Sequence, residues 1–289
     1  MTDPSEAKAL AVLLVCHNRR EMTLRALRSL FAQKEHPFVL SVFLFDDAST
    51  DGTAIAVAEN FPETVITYGD GTAFWNGGLY KVWRSALHCR PDAFLWLNDD
   101  VDLHLDALAQ IGRWAHAVES QTGDKRFILT AATQCHKSGR RYGAKRMRRS
   151  RMSFKLDPVS VSGRLERIDT FNGNLVFVPR EVTDEIGLND PEFFHNFGDI
   201  DYGLRATAAG IQCFLLPKVL GDCPYNTAKA EFGYGGRGLS LREQWRKVNT
   251  HHGLPFRSWY RLTRRHSGVW WPVHFLSAYR RLLIPTKGK

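Results

Sequence analysis

The sequence predicts an α/β protein: a mostly parallel sheet with helices on both faces, followed by a C-terminal helical extension. Three observations carry that expectation. Short, continuous apolar runs such as "ALAVLLV" (9–15), "LSVFLF" (40–45) and "AFLWL" (93–97) read as strands buried on both faces. Segments with apolar residues at helical spacing lie between them. Each run also stops abruptly in polar residues, and in open parallel sheets ligands bind beyond the carboxyl ends of the strands.

The elements follow in order. "ALAVLLV" ends in "CHNRR", and "EMTLRALRSLFAQ" then places Met22, Leu24, Leu27, Leu30 and Phe31 on a helical stripe. "LSVFLF" ends in "DDASTDGT", a turn with Asp and Ser available as caps, before "TAIAVAENF" resumes helical spacing. "TVITYG" (64–69) is a third strand and "GGLYKVWRSALHC" a helix; "AFLWL" then runs into "NDDVD". Strand and helix in alternation predict a parallel sheet covered on both sides. Past residue 130 the texture changes. "HKSGRRYGAKRMRRSR" (136–151) is a basic loop or hairpin without apolar periodicity. "NGNLVFVPREVTDEIG" (172–187) reads as strand then helix, and "FGDIDYGLRATAAG" (197–210) as a helix opened by acids and closed by Gly210. "IQCFLLP" (211–217) is the next strand. The division is a main domain over residues 1–220 and a basic, aromatic extension over 221–289, on the acceptor or membrane-surface side.

Composition narrows the class. A chain of 289 residues, 44% of them hydrophobic, can bury one large core with or without an appendage. The net charge of +9 favours an anionic partner without choosing among nucleotide, phospholipid and polyanion. Five scattered cysteines with no CxxC suggest neither a disulfide framework nor a zinc module, which fits a reducing cytosol. No stretch approaches the ~20 apolar residues that span a bilayer, and the polar "MTDPSEAKAL" start is unlike a signal peptide. The expectation is a cytoplasmic protein. The tail "RSWYRLTRRHSGVWWPVHFLSAYRRLL" mixes Trp and Tyr with Arg, as interfacial segments do, which adds a peripheral position at the cytoplasmic membrane face. The plainer alternative is a helical extension packed on the main domain.

The chemistry rests on carboxylates. Asp46–Asp47 and Asp99–Asp100 end apolar strands, and Asp199 with Asp201 opens a helix. Singly, each has a bland explanation in turn formation or helix-dipole charge. Parallel topology, however, puts the two strand-end pairs on one edge. Adjacent ionised carboxylates need a cation, and Mg²⁺ or Mn²⁺ suits one or two carboxylates plus substrate phosphates. A metal-held diphosphate is then the leaving group, and a third carboxylate can take a proton from an attacking hydroxyl.

"VLLVCHNRREMTLRALRSLFAQ", "FLFDDASTDGT", "LWLNDDV", "NGNLVFVPREV" and "FGDIDYGLRATAAG", in that order over residues 9–220, resemble glycosyltransferase family 2 enzymes of the GT-A fold. The "GDG…W…GG" segment and the "GLP…W…RRH…WP" tail are similar to bacterial polysaccharide and rhamnosyltransferase-like members. The resemblance implies an inverting transfer from a UDP- or dTDP-sugar to a hydroxyl of a saccharide or lipid-linked saccharide, with a divalent metal as cofactor. It implies that Val15, Cys16, His17, Asn18 and Arg19 wall the nucleoside and that Asp47 accepts from the base. By the same resemblance Asp99 faces ribose or sugar, Asp100 binds the metal, and Asp199 is the catalytic base. Two departures stand out: Asn98 replaces the first acid of a strict DxD, and Gly198 stands where many relatives carry Glu. The metal-ligating His that some relatives place late has no match in "LGDCPYN".

Other residues have competing readings. Trp75 and Asn76 sit in "GDGTAFWNGG", read as a flexible loop packing near the sugar diphosphate; the alternative is a plain connection with Trp75 in the core. The GxGxxG spacing of a dinucleotide loop is lacking there. The eight Lys and Arg of 137–151 read as a solvated loop, or as an arm for a lipid pyrophosphate or anionic lipid. No RNP-type aromatic pattern accompanies them, so no nucleic acid is expected. His251 and His252 read as loop histidines. Nucleotidyl transfer and non-catalytic polyanion binding remain as the other classes.

Overall fold

The computed structural model describes residues 7–135, 138–139, 141–193, 196–224, 241–250 and 253–283. His251, His252 and three residues of the basic run lie outside them. The first half alternates strand and helix as expected: β1 (Lys8–Cys16), α1 (Arg20–Phe31), β2 (Phe38–Asp46), α2 (Thr53–Asn60), β3 (Val65–Tyr68), α3 (Phe74–Ala86), β4 (Ala93–Leu97). Then come β5 (Asp102–Leu103), α4 (Ala107–Thr122), β6 (Phe127–Cys135), β7 (Arg141–Tyr142), β8 (Ala144–Arg149), β9 (Phe154–Val159), β10 (Glu166–Ile168) and β11 (Thr170–Phe171). The chain continues through β12 (Leu175–Pro179), α5 (Arg180–Ile186), α6 (Gly198–Ala208) and β13 (Gln212–Cys223) to α7 (Leu241–Val248), α8 (Phe256–His266) and α9 (Trp271–Leu283).

The main sheet has the order β10-β13-β6-β12-β4-β1-β2-β3. Strands β3, β2, β1 and β4 are mutually parallel, as are β6 and β13. Strand β12 is antiparallel to both its neighbours, and β10, β5 and β7 add further antiparallel pairs. Strand β1 shows why its run is unbroken. Leu10, Val12 and Leu14 face one core with Leu24, Leu27 and Leu30 of α1 and Ile111 of α4. Ala11, Leu13 and Val15 face the other, with Leu79, Val82 and Trp83 of α3 and Tyr202 of α6. Alternate residues of one strand therefore feed both layers.

Of the two readings of the basic run, loop or hairpin, the structure takes the hairpin. The second half of the run is β8, which pairs with β9 and β11 in a small separate sheet. The C-terminal helices pack on this sheet and on α6. Phe154, Phe193, Ile200 and Leu204 share one core with Val248, Trp259, Leu262 and Phe275. Burying side chains of this size contributes roughly 1.5–3 kcal/mol each. Asp201, wholly buried, reinforces the junction: it accepts from Arg205 Nε (3.0 Å), Arg265 Nη1 (2.7 Å) and His266 Nε2 (2.9 Å). Burial alone would favour its neutral form. The His266 bond and the Arg265 and Arg205 charges outweigh that and hold the carboxyl below its ordinary range. Among the described residues no helix is long and apolar enough to cross a membrane, and none of the five cysteines forms a disulfide.

Candidate active site

The carboxyl ends of β1, β2 and β4, the start of α3 and the N-terminus of α6 converge on one cleft of about 670 Å³. Val15, Cys16, His17, Arg19, Asp47, Trp75, Asp99, Asp100 and Asp199 all line it. Four aspartates from three distant parts of the chain thus face one space.

Local geometry explains how each is held. Asp47 is almost fully buried, and its two carboxylate oxygens accept from the backbone N–H groups of Gly71 (3.0 Å) and Phe74 (2.8 Å). It therefore ties the loop after β3 to the end of β2, and each oxygen retains a second acceptor site. His17 donates from Nδ1 to the Asp47 carbonyl (2.6 Å), an assignment that follows because a carbonyl can only accept. Asp199 opens α6, where its oxygens accept from Gly173 N (2.9 Å) and Ile200 N (2.8 Å), so the side chain is aimed before any substrate arrives. Asn18, Ala48 and Phe197 on the surrounding loops, and Phe74 at the first position of α3, all take positive φ. Such strain in non-glycine residues concentrates at functional sites.

Asp99 and Asp100 share one counterion. Arg19 Nη1 lies 3.0 Å from Asp99 Oδ1 and 3.3 Å from Asp100 Oδ2. Burial drives both carboxyls above the usual carboxylate range, and the neighbouring aspartates add to it; Arg19 offsets only part of the shift. The Arg19 guanidinium is in turn held more firmly protonated, mainly by Asp99.

Asn98 has a physical reason for standing where an acid was expected. Its Oδ1 accepts from Trp75 Nε1 (2.8 Å), its Nδ2 donates to Asn174 Oδ1 (3.0 Å), and Asn174 Nδ2 donates to Thr133 Oγ1 (2.9 Å). A neutral amide can both accept and donate in this chain; a carboxylate can only accept. Gly173 leaves space for Trp75, because a Cβ there would overlap the indole.

Two expected residues lie elsewhere. Trp75 and Asn76 belong to the first turn of α3 rather than to a loop. Trp75 lines the cleft, whereas Asn76 is fully buried and does not. Its Nδ2 donates to the carbonyls of Asp190 (2.8 Å) and Phe193 (2.7 Å), and its Oδ1 accepts from Asn189 Nδ2 (2.8 Å). Asn76 also fills the space beside Gly198, where any Cβ would overlap its amide; this excludes a larger residue before Asp199. Asn18 stands just behind the wall, with its backbone N–H donating to Ser49 Oγ (2.9 Å) and its Oδ1 accepting from Thr50 N (2.7 Å). The cleft also contains Lys145, Asn172, Asn174 and Asn196, which sequence reasoning did not assign. The "NGN" before β12 was the available signal.

The donor set suits a hard divalent ion of the kind the resemblance implies. Among the described residues no three His, Cys, Asp or Glu side chains form a closed cage. Asp99 and Asp100 both line the cleft, and one or two carboxylates completed by substrate phosphates is a donor set that suits Mg²⁺ or Mn²⁺.

The sheet, its polar rim and the cleft are those of a GT-A glycosyltransferase fold. A family model described as "Glycosyltransferase like family 2" matches residues 7–254, and the chain belongs to that family. Among solved structures it is similar to the mannosyltransferase PcManGT from Pyrobaculum calidifontis in complex with GDP-Man and Mn²⁺ (TM-score 0.54, 16% identity, 97% of this chain and 71% of that one). GalNAc-T7 with UDP, GalNAc and Mn²⁺ gives a TM-score of 0.57 at 14% identity, over 95% of this chain and 54% of that one. S. aureus TarS 1–349 gives 0.54 at 12% identity, over 88% and 69%. No curated protein sequence matches the chain.

Proposed function

We propose that the protein transfers a sugar, with inversion, from a UDP- or dTDP-sugar to a hydroxyl of a saccharide or lipid-linked saccharide in cell-surface polysaccharide synthesis. The observation that supports this reading is the convergence of Asp47, Asp99, Asp100 and Asp199 on one cleft at the strand ends. Val15, Cys16, His17 and Arg19 form the nucleoside wall, and Asp47 both fixes that wall and presents acceptor sites to the base. Asp100, with Asp99 beside it, would hold a divalent ion, which when bound would supply positive charge to the diphosphate leaving group. Asp199 takes the proton as the acceptor oxygen bonds to the anomeric carbon and the carbon–diphosphate bond breaks. Trp75, fixed by Asn98, gives the sugar a flat apolar wall.

A thermal-shift panel of UDP-, dTDP- and GDP-sugars with and without Mn²⁺ tests the donor. Metal-dependent stabilisation by one nucleotide series is expected, and none by any of them would overturn the reading. Two of the similar structures carry GDP-Man and UDP with GalNAc, which is why the panel includes a guanine nucleotide. Asp199→Asn should keep the shift and lose transfer. Undiminished turnover in that variant would favour nucleotidyl transfer instead.

A further inference from the structure

The C-terminal helices bury one face and expose another that is also apolar. In α9, His274, Phe275 and Tyr279 point inward. The outward positions of α9 and the turn before it hold Val269 (85% exposed), Trp270 (41%), Val273 (36%) and Leu276 (65%). Helices that face water carry polar residues at such positions. Met152, 74% exposed at the tip of the β8–β9 hairpin, joins this surface. The hairpin tip is fastened there: His274 Nε2 donates to the Ser150 carbonyl (2.7 Å), Arg149 Nη1 to the His266 carbonyl (2.8 Å), and Arg151 stacks over Trp270 at 5.9 Å.

The charge around the patch has one sign. Residues 256–283 contain six arginines and no Asp or Glu, and residues 144–156 likewise contain no acid. Arg261 and Arg265 are already paired, with Asp190 and Glu192 and with Asp190 and the buried Asp201 respectively. Arg151, Arg264 and Arg280 remain on the rim, Arg264 stacked on Trp271 at 5.5 Å. A second copy of this chain would set arginine against arginine across the same face. A bilayer with anionic headgroups complements both features at once: shallow insertion for the apolar side chains and phosphate for the guanidiniums.

We propose that Val269, Trp270, Val273, Leu276 and Met152, rimmed by Arg151, Arg264 and Arg280, form a docking face for an anionic phospholipid surface. The inference rests on the glycosyl-transfer reading only for its purpose. Lys145 near the base of the same hairpin and Leu156 midway along it line the cleft, so docking places these cleft residues at most about 13–20 Å from the lipid at ~3.3 Å per strand residue. That distance suits an acceptor anchored in the membrane.

The test is vesicle co-sedimentation of the full chain. One vesicle set is phosphatidylcholine alone, and the other contains equal parts of phosphatidylcholine and phosphatidylglycerol. Binding to the anionic set should be at least about tenfold stronger and should weaken with salt. The triple variant Val269→Ser, Trp270→Ser, Leu276→Ser should lose about tenfold or more, as should Arg151→Gln with Arg264→Gln. Unchanged melting temperature and unchanged nucleotide-sugar thermal shifts would show that both variants fold and that the cleft is intact. Equal binding by wild type and variants, or none by wild type, overturns the docking face. So would self-association that the triple variant abolishes, since it would make the face an interface between copies. Failure of the docking face leaves the nucleotide-sugar shifts in place, whereas failure of the transfer reading removes them and leaves the lipid binding.

Discussion

Replacing Asp201 with asparagine tests how the C-terminal helices are attached. The side chain is fully buried and receives Arg205, Arg265 and His266. Breaking a buried ion pair typically costs about 3–5 kcal/mol, because the remaining charges lose their partner. Here Arg205 and Arg265 are 20% and 34% exposed and can regain some water. The low end, about 3 kcal/mol, is therefore the expected loss at pH 7. For a domain of this size that corresponds to a fall in Tm of roughly 6–12 °C. The pH dependence has a defined sign. A carboxyl held below its ordinary value stabilises the fold fully above the unfolded value near ~3.9, and the contribution fades as pH falls through the lower folded value. The gap between wild type and Asp201→Asn should thus be constant from neutrality down to that point and close below it. Urea unfolding at several pH values, with limited trypsin cleavage in 241–283 as a local probe, measures both. A loss under about 1 kcal/mol at pH 7, or a gap that persists in acid, would refute the role given to Asp201.

Three further outcomes follow from the cleft. Gly198→Ala should cost about 1–3 kcal/mol by pressing a methyl group into Asn76, and a double-mutant cycle with Asn76→Ala should be strongly non-additive by denaturation. Asn98→Asp adds a third carboxylate beside Asp99 and Asp100, so it should lower the melting temperature without metal and enlarge the stabilisation by Mn²⁺. Arg19→Gln removes the cation that shares their oxygens; calorimetry should find Mn²⁺ alone binding roughly fivefold more tightly, about 1 kcal/mol for one nearby charge.

The sheet and its rim were legible because strand ends follow from local pattern. Apolar runs that feed two cores cannot alternate, and parallel pairing then fixes which ends meet. That logic brought Asp47 and Asp100 together, while Asp199, at a helix N-terminus, entered only through the family resemblance. It failed where a role depends on a partner far along the chain. Trp75 and Asn76 are adjacent in sequence, yet neighbours on a helix face different directions, and only Trp75 looks into the cleft. Asp201 looked like helix-terminus charge until Arg265, 64 residues on, supplied its partner. Strand β8 carries no apolar period because Arg and Lys fill it; what makes it a strand is pairing with β9 and β11, with Asp157 offsetting the like charges of Arg148 and Lys155 through an ion pair to Arg148 (3.0 Å). Helix α4 and strand β6 were not among the expected elements, although Ala107, Leu108, Ile111, Ala115 and Val118 of α4 hold its buried face at helical spacing.

Adjacent carboxylates at the end of a buried strand pose a charge problem, and this chain meets it by several means. Asn98 removes one potential anion and converts that position into a hydrogen-bonded brace for Trp75. Arg19 supplies a single positive charge to two carboxyls, and both still bind protons more readily than free carboxylates. Unlike Asp201, which meets two guanidiniums and an imidazole, Asp99 and Asp100 are left under-neutralised. A structural ion pair gains nothing from that deficit. A site that must admit a divalent ion does, because a second full cation in place would raise the cost of bringing metal in. The contrast between the saturated aspartate two residues past Asp199 and the under-neutralised pair after β4 therefore fits the metal role proposed for that pair.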